Sequence, residues 1–345
     1  MGEKLKNRRL LKAFGVFLLV FLLLTSSFVV LVLFWPQENP HQVVKVTVKN
    51  GASLNRIAEV LNEQDIISNK LMFRMAVQLL GKEKEIPIGR FRLVNARSNY
   101  EIIDQLVYGA PEVKKVRILE GWDLRQIAGH LSEVMDFDSS LIMQIATDYK
   151  FLKKNGISSL SLEGYLFPDT YFFFAGDTPR SVLTHLVTMH QSFWKKRHMS
   201  QAKNLNMTKH EIVTLASIIE GEAIYDSERA KISAVYHNRL NMGMKLQADP
   251  TIQFILPEPP RRLLNRDLKI KSPYNTYLNK GLPPGPINSP GKNSILAALY
   301  PEENDFIYFV ASGDGYHTFT TNERDHNKAK RKLQKIRRTL KRKTQ

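Results

Sequence analysis

The sequence predicts an α+β protein with a single N-terminal transmembrane helix, a small β-α-α-β subdomain and then a mixed α/β domain. Three observations support this prediction: an uncharged apolar run near the N-terminus, a strand–turn–helix repeat, and helical stretches that later alternate with loop-rich segments. The chain has 345 residues, 43% hydrophobic and 24% charged, which is enough for about two domains. This composition excludes a wholly disordered or collagen-like polymer.

The apolar run covers Ala13 to Trp35, 23 residues without a charge. At about 1.5 Å rise per residue, such a helix crosses the hydrocarbon layer, and Pro36 should end it. A cleaved signal peptide is the alternative, but its apolar stretch should be shorter, about 7–15 residues. Five basic residues lie within 1–12 and predict a cytoplasmic N-terminus. We therefore expect a single-pass protein of the inner (plasma) membrane, with the rest of the chain on the extracytoplasmic or periplasmic side.

The net charge of +17 lies mostly at the two ends of the chain. Residues 1–12 carry +4 and residues 324–345 carry +10, which leaves +3 for everything between them. A nucleic-acid-binding domain would carry its basic residues on its body, so we predict no nucleic-acid partner. The basic C-terminal tail, 328–345, places Leu333, Ile336 and Leu340 on a thin stripe. It could contact anionic lipid or wall polymer, or be solvated.

Several kinds of chemistry are excluded by what the sequence lacks. It contains no cysteine, so disulfides, cysteine-ligated metals and a cysteine nucleophile are impossible. It contains no GxGxxG, Walker A, HExxH or GxSxG motif, and the histidines form no ligand-spaced pair on one helix face. We predict that the protein uses no metal and no cofactor.

An internal repeat organises the region after the apolar run. VTVKNGASLNRIAEVL (46–61) and VRILEGWDLRQIAGHL (116–131) align without gaps at an offset of 70. Each copy predicts a strand, a turn at glycine after Asn50 or Glu120, and a helix capped by Ser53 or Asp123. The first copy, closed by a second strand at Gly89–Val94, resembles a LysM module. That resemblance implies binding of N-acetylglucosamine polymers by a subdomain at 43–110. A duplicated packing unit without a ligand is the alternative.

The second domain is predicted to cover residues 112–327. It should contain helices over 138–153 and 178–197, and a helix that starts at a capping box formed by Thr208 and Glu211. A proline-rich loop over 272–291 follows, and such long loops are more often functional than idle. The segment 307–322 predicts a β-hairpin around a Gly-Asp-Gly turn.

The segment LASIIEGEA (215–223) places two carboxylates, Glu220 and Glu222, after a run of mostly apolar residues. Burial favours the protonated form of a carboxyl group, and the negative end of the helix dipole does too if the helix stops at Gly221. A protonated carboxyl group is what general acid catalysis requires. The alternative is simple pairing of either glutamate with Arg229 or Arg239. Periodicity does not choose between the two glutamates.

Several motifs in a fixed order resemble one known family. They are LASIIEGEA, then ER-x-KISAVYHNRL-x-x-GM-x-LQADPT, SPYNTY-x-x-x-GLPPGPINSPG and YFVASGDGYHTF-x-TN-x-x-x-HN, preceded by EGYLFPDTY at 163–171. Together they are similar to the endolytic murein transglycosylases (YceG-like), over about residues 45–328. The resemblance puts the catalytic glutamate on Glu220 and leaves the basic tail unexplained.

The resemblance implies a lytic transglycosylase, a lyase that cleaves peptidoglycan glycan strands between N-acetylmuramic acid and N-acetylglucosamine. The muramyl 6-hydroxyl then acts as internal nucleophile and leaves a 1,6-anhydro end, so one acid suffices where a hydrolase needs two carboxylates. Such an enzyme acts in cell wall assembly, could terminate glycan polymerisation, and has peptidoglycan synthases as candidate partners. A non-catalytic, membrane-anchored peptidoglycan-binding scaffold is the alternative. The candidate sugar contacts are Glu163, Gln247, Asp249, Tyr274, Asn275 and Asn288.

Overall fold

A computed structural model describes residues 2–37, 43–49, 51–257 and 260–343. The chain divides into two compact units, residues 1–115 with 172–178 and residues 116–171 with 179–345. Two strands near the ends of these ranges, β3 (Val113–Arg117) and β4 (Thr170–Phe174), pair in a two-stranded sheet. No local pattern in the sequence indicates that residues 172–178 belong with the first unit.

The first unit carries the N-terminal apolar helix. Its elements in chain order are α1 (Gly2–Leu33), β1 (Val43–Val48), α2 (Leu54–Glu63), α3 (Lys70–Leu79), β2 (Gly89–Val94) and α4 (Asn99–Tyr108). Within α1, Leu11–Leu33 is long and apolar enough to cross a membrane, a test that a signal sequence also passes. The hydroxyl group of Thr25 donates to the carbonyls of Phe21 and Leu22, at 3.0 Å each, and so is satisfied within the helix.

The predicted β-α-α-β order is present in this unit. β1 and β2 pair antiparallel, from Val43 opposite Val94 to Val48 opposite Gly89, which confirms the strand expected at 89–94. Ser53 caps α2 by accepting a hydrogen bond from the amide of Arg56. Asn50, the expected turn residue before Gly51, lies outside the described residues.

The second unit holds the remaining elements. After β3 they are α5 (Leu124–Met135), α6 (Ser139–Thr147), α7 (Tyr149–Lys154), β4, α8 (Pro179–Phe193), α9 (Lys196–Asn204), α10 (Lys209–Glu222), α11 (Asp226–Asn241), α12 (Asp249–Ile255), a 3-10 turn (Asp267–Lys269), α13 (Lys292–Leu299), β5 (Tyr308–Ala311), β6 (His317–Thr320) and α14 (Glu323–Lys343). The helix predicted over 138–153 is two helices, because Asp148 leaves the helical region and its side chain caps α7. The helix predicted over 178–197 similarly ends at Phe193.

The core of the second unit is built around α10. Its residues from Ile212 to Ile219 are all buried, and it packs against α9, α11, α12 and α13. The predicted capping box is present: Thr208 accepts from the amide of Glu211, whose carboxylate accepts from the amide of Thr208 at 2.8 Å. The helix continues one residue beyond Gly221, to Glu222, so the glycine lies in its last turn and does not end it.

The chain ends in the predicted hairpin and a long basic helix. β5 and β6 pair antiparallel, from Tyr308 opposite Thr320 to Ala311 opposite His317. α14 packs on both strands, and Leu333 and Ile336 lie against the turn at Gly313. Part of the apolar stripe of the tail therefore packs on the protein itself, while the side chain of Leu340 lies outside the described residues.

Candidate active site

The C-terminal end of α10 places two glutamates in different surroundings. The carboxylate of Glu220 is only 7% exposed, and its Oε1 lies 3.1 Å from the guanidinium Nη2 of Arg229. Its Oε2 accepts a hydrogen bond of 2.9 Å from the amide of Gly291. The two contacts engage both oxygens and fix the orientation of the carboxylate. The pairing with Arg229 that the sequence left open is therefore present.

Arg229 is itself buried and fixed in position. Its Nε donates to Asp226 at 2.7 Å, and its Nη1 donates to the hydroxyl group of Ser294. Its side chain is 8% exposed. A guanidinium bonded on three sides presents a fixed charge to Glu220, which holds that carboxylate in one orientation.

A loop from the proline-rich segment lies along α10. The amide of Ile287 donates to the hydroxyl group of Ser217 at 3.0 Å, and the side chain of Asn288 donates to the carbonyl of Ser217 at 2.9 Å. Farther along this loop, Gly291 reaches Glu220 as described above. The loop expected to be functional is thus one wall of the site around Glu220.

The turn of the second repeat copy forms the opposite side. The amide of Gly121 donates to the carbonyl of Ser289 at 2.9 Å, and the amide of Ser289 donates to the carbonyl of Trp122 at 2.8 Å. A side chain at Gly121 would start 3.8 Å from the Cγ of Glu220. The repeat therefore contributes directly to the surroundings of Glu220.

The same turn brings a second carboxyl group, Glu120, beside Glu220. The Oε1 of Glu120 lies beside Gly291, and a Cβ at position 291 would collide with it and would displace the Glu120 carboxyl group. Partial burial, followed by the nearby charge of Glu220, raises the pKa of Glu120, and Arg229 opposes this shift. Glu120 is therefore a second carboxyl group at the candidate site, and its surroundings favour the protonated form more than water does.

Glu222 lies in a different environment from Glu220. Its carboxylate accepts a hydrogen bond of 3.0 Å from the hydroxyl group of Tyr236 and another from the amide of Asp249. Burial, followed by the charge of Asp249, raises the pKa of Glu222 to about 7. These surroundings therefore favour the protonated form of Glu222 more than water does.

A groove of about 630 Å³ opens beside these groups, large enough for a small saccharide. Its walls combine apolar surface with hydroxyl- and amide-binding groups. The lining residues are Gly121, Asp123, Arg125, Gln126, Gly221, Glu222, Asp249, Pro250, Gln253, Phe254, Pro257, Pro260, Ile287 and Asn288. Gly221 lies against Pro250, where an added Cβ would be 2.6 Å from the ring, so the groove needs glycine at this point.

Two of the predicted sugar contacts lie in the groove. Asp249 is exposed there, and its Oδ1 accepts a hydrogen bond from the hydroxyl group of Tyr277. The amide group of Asn288 binds Ser217, but its Oδ1 is buried and has no hydrogen-bond partner in the part of the chain that the structure describes. A buried acceptor without a donor can take a hydroxyl or amide hydrogen from a ligand.

The other predicted contacts lie outside the groove lining. Both carboxylate oxygens of Glu163 face the amide of Leu124 at the start of α5, at 3.2 and 3.1 Å, and burial raises the pKa of Glu163 to about 8. The side chain of Asn275 is fully buried and occupied by the loop itself: it donates to the carbonyls of Leu268 and Ile270 and accepts from the amide of Tyr277. The structure gives Asn275 a structural role.

Gln247 and Tyr274 take intermediate positions. Gln247 is exposed with a φ of +49°, and its amide donates to the carbonyl of Thr276. The ring of Tyr274 lies 4.9 Å from that of Phe254, a groove residue, and therefore supports the groove from behind.

Sequence reasoning missed Glu120 as a site residue, although its position in the turn of the repeat was a signal that could have found it.

Comparisons with known proteins agree on one family. The sequence profile described as the YceG-like family matches residues 46–332. A protein of Bacillus subtilis (strain 168) named endolytic murein transglycosylase is 32% identical over 311 residues, which cover 86% of each chain. One of the same name from Streptococcus pneumoniae (strain D39) is 28% identical over 92% of this chain, which spans 64% of the length of that relative.

A solved structure gives the same result for the fold. The 2.6 Å crystal structure of a YceG-like protein from Listeria monocytogenes matches with a TM-score of 0.58 and 30% identity. The match covers 83% of this chain and 98% of that one. With a matching profile over most of its length and a relative more than 30% identical, this chain belongs to the YceG-like family.

Proposed function

We propose that this protein is an endolytic murein transglycosylase that cleaves peptidoglycan glycan strands at the bond between N-acetylmuramic acid and N-acetylglucosamine. The names of the relatives in Bacillus subtilis and Streptococcus pneumoniae support the activity. One structural observation carries the assignment to this chain: a nearly buried carboxylate, Glu220, is fixed between a guanidinium and a backbone amide beside a groove.

Glu220 is the proposed acid and base of the reaction. As an acid it protonates the glycosidic oxygen of the leaving sugar, and as a carboxylate it then accepts the proton of the muramyl 6-hydroxyl group. That hydroxyl group attacks the anomeric carbon and forms the 1,6-anhydro end. Because the nucleophile belongs to the same sugar, the step gains the advantage of an intramolecular reaction and needs no activated water.

Glu120 is a second candidate proton donor beside Glu220. Both carboxyl groups lie against Gly291, and partial burial raises the pKa of Glu120. We propose that Glu120 supplies a proton to Glu220 when the substrate binds. Glu120→Gln keeps the shape of the side chain and removes that proton, so the yield of 1,6-anhydro ends should fall although Glu220 is intact.

The groove is the proposed sugar site. The free Oδ1 of Asn288 suits an N-acetyl amide or a sugar hydroxyl group, and Asp249 suits hydroxyl groups at the other side. Phe254, supported by Tyr274, offers a ring on which a sugar face can stack. Glu163, Gln247 and Asn275 are not part of this proposed contact surface.

The decisive experiment compares two matched variants. The full-length protein in detergent is incubated with purified peptidoglycan, and the products are identified by mass spectrometry. The parent should yield 1,6-anhydro ends, and Glu220→Gln should reduce their yield by about 10²–10⁴-fold. Glu222→Gln, two residues away on the same helix, should retain most of the activity, and circular dichroism should show both variants folded.

Four results would contradict the assignment. Near-parental activity of Glu220→Gln would remove its catalytic role. Loss of activity only in Glu222→Gln would move that role to the glutamate whose pKa is raised to about 7. Reducing ends in place of anhydro ends would mean that water is the nucleophile. Binding of peptidoglycan without any products in the parent would favour the scaffold alternative.

The β-α-α-β part of the first unit is proposed as a LysM-like module that binds N-acetylglucosamine polymers. Its strand pairing and helix order support this, and the packing-unit alternative requires no ligand. Hydrogen–deuterium exchange of the Glu220→Gln protein, measured with and without an N-acetylglucosamine hexamer, distinguishes a sugar-binding module from a packing unit without a ligand. Protection within 43–94 would support the module, and protection confined to the groove would refute it.

The proposed topology is a single pass with a cytoplasmic N-terminus and the two units outside. Its support is the apolar helix at Leu11–Leu33, preceded by basic residues. Protease added to the outer face of intact membranes should digest the chain after Pro36. Release of the protein by signal peptidase would show that the helix is a cleaved signal. Peptidoglycan synthases are proposed partners, to be tested by crosslinking in cells.

A further inference from the structure

The last turn of α1 is partly buried, whereas the rest of the apolar helix is largely exposed. The apolar residues from Leu11 through Leu31 are largely exposed, as a lipid-facing helix requires, but Val32 is fully buried and Leu33 packs against the core of the first unit. α1 packs against α3 and α4 at this end. The helix therefore passes directly into the fold of the first unit.

Two buried amide side chains join the helix to this unit. Gln37 is 8% exposed and Asn99 1% exposed. The Nδ2 of Asn99 donates to the carbonyl of Val32 at 2.9 Å, and the Nε2 of Gln37 donates to the Oδ1 of Asn99 at 3.0 Å. The Oε1 of Gln37 accepts from the amide of Ser68 at 3.0 Å. Because Val32 lies in the last turn, its carbonyl has no partner within the helix, and Asn99 supplies one.

A fully satisfied buried network of this kind specifies one arrangement, because any other leaves polar groups unpaired. The partners come from three segments: the last turn of α1 with the residues after it as far as Gln37, the residues just before α3, and the start of α4. The backbone adds to the joint, since the amide of Gln37 donates to the carbonyl of Arg97 at 3.2 Å. The first unit is thus held by α1 in a fixed orientation.

The joint continues through Trp35 and Pro36, the two residues that follow Phe34. The indole nitrogen of Trp35 donates to the hydroxyl group of Ser68 at 2.9 Å, and Pro36 forms a β-bridge with Ser98. Ser98 is the N-cap residue of α4, and Ser68 lies two residues before α3, so both helices begin close to the end of the apolar run. Tryptophan at this position is typical of the membrane interface.

The side chains at these two helix starts suit lipid headgroups. Tyr100 is 42% exposed, and its ring lies 5.9 Å from that of Phe34, which continues the apolar surface of α1. Leu71, in the first turn of α3, is 57% exposed. Basic residues stand next to both, at Lys70, Arg74 and Arg97, with Glu101 as the nearby acid that accepts from the amide of Arg97. Aromatic and apolar groups bordered by lysine and arginine are typical of a membrane-facing surface.

We infer that the first turns of α3 and α4 rest in the phospholipid headgroup layer, so that the Gln37–Asn99 joint seats the first unit on the membrane at a fixed height. The inference rests on the proposed membrane span of α1, with which this surface is continuous. Its functional consequence is that α1 sets the distance from the lipid at which the first unit can meet glycan, whereas a flexible linker would leave that distance open.

Site-directed spin labelling tests this inference, and the chain, which has no cysteine, is suited to it. Single cysteines replace Leu71 and Tyr100 in the full-length protein, reconstituted in nanodiscs of phosphatidylcholine and phosphatidylglycerol. The matched controls are Leu79→Cys and Tyr108→Cys, at the far ends of the same helices, where the side chains are 49% and 68% exposed. Eight residues of helix place each control about 12 Å from its partner.

Collision rates with oxygen and with a water-soluble nickel complex give the depth of each label. Labels at positions 71 and 100 should report the headgroup layer, with at least severalfold less access to nickel than labels at 79 and 108. Equal, fully aqueous access at all four positions would overturn the inference. A fifth label at Leu22 reports the span itself. If the label at 22 lies in lipid while the labels at 71 and 100 are exposed to water, the membrane span is supported, but the placement of α3 and α4 in the headgroup layer is wrong. An aqueous label at 22 would refute both.

A variant of the joint separates its role from that of the lipid contacts. Gln37→Ala combined with Asn99→Ala removes the amide network, and labels at 71 and 100 should then gain access to nickel and show a broader range of environments. Gln78→Ala, an exposed glutamine in the last turn of α3, is the matched control and should change neither. Unchanged depth in the double variant would show that the amides do not hold the unit in place.

Discussion

The two copies of the repeat have nearly the same local structure and very different surroundings. The turn glycines Gly51 and Gly121 have φ values of +78° and +79°. The helix caps Ser53 and Asp123 both accept a hydrogen bond from the amide three residues on. In each copy the same three helix positions are buried: Ile57, Ala58 and Leu61 in the first and Ile127, Ala128 and Leu131 in the second.

The difference lies in what each turn faces. The space that a side chain at Gly51 would enter is open, whereas Gly121 lies beside Glu220, with Glu120 and Arg229 close by. The amide of Leu124, at the start of the second helix, is also bonded by the buried carboxyl group of Glu163. The same strand–turn–helix unit therefore serves in one copy as a folding unit and in the other as a wall of the candidate active site.

The largest effect is expected where the second turn covers a buried charge. Arg229→Met leaves the carboxylate of Glu220 without its guanidinium, and an unpaired buried charge costs about 3–5 kcal/mol of unfolding free energy. The matched control in the first copy is Arg56→Met, which removes exposed ion pairs with Glu59 and Glu63 and should change stability very little. Denaturant unfolding of the full-length protein measures both.

A double variant sharpens this comparison. Glu220→Gln removes the charge that Arg229 balances, so Arg229→Met should destabilise the Glu220→Gln protein much less than it destabilises the parent. Equal losses in both backgrounds would mean that Arg229 acts through packing alone.

The second expected effect concerns Glu163 and pH. Its pKa is about 8 in the fold against 4.5 ordinarily, so between these values the folded state binds a proton that the unfolded chain has lost. The contribution of Glu163 to the unfolding free energy should therefore be largest below about pH 4.5 and fall as pH rises towards about 8, by up to about 1.4 kcal/mol per pH unit. Glu163→Gln should flatten this dependence. An unchanged slope in the variant would show that another group is responsible.

The third effect separates folding from chemistry within the repeat. Gly51→Ala and Gly121→Ala both force alanine into the left-handed region, at a cost of about 1–2 kcal/mol each. Only Gly121→Ala should also lower the rate of peptidoglycan cleavage, by up to about 10²-fold, because its turn positions groups around Glu220. Thermal unfolding and product yield are measured on the same samples. Equal losses of activity would show that the two turns do not differ in function.

The smallest effect is expected at the helix caps. Ser53→Ala and Asp123→Ala each remove one side-chain acceptor from a helix start, which typically costs about 1 kcal/mol. Asp123 should cost more, because it forms a capping box with Gln126 that the first copy lacks. A shift in the thermal midpoint measures this difference. A larger shift for Ser53→Ala would contradict it.

Several features of this protein follow from the sequence alone. The apolar run, the strand at Gly89–Val94, the capping box at Thr208 and the hairpin over 308–320 are all present in the structure. The apolar run is defined by its composition. The strand, the capping box and the hairpin depend on side chains two to four residues apart or on a turn residue with a special backbone conformation. The family followed from motifs in a fixed order. The catalytic role of Glu220 stays a prediction until variants are measured.

The surroundings of these elements were decided only by the tertiary structure. Gly291 reaches Glu220 across 71 residues of sequence, and Asn99 reaches Val32 across 67. The sequence pattern treats Asn275 and Asn288 alike. The side chain of Asn275 bonds within its own loop, whereas the Oδ1 of Asn288, beside the groove, has no hydrogen-bond partner among the described residues. Hydrophobic periodicity reports which face of an element is buried but not which distant element buries it. Whether a polar group is held, paired or left free therefore depends on packing that no local pattern encodes.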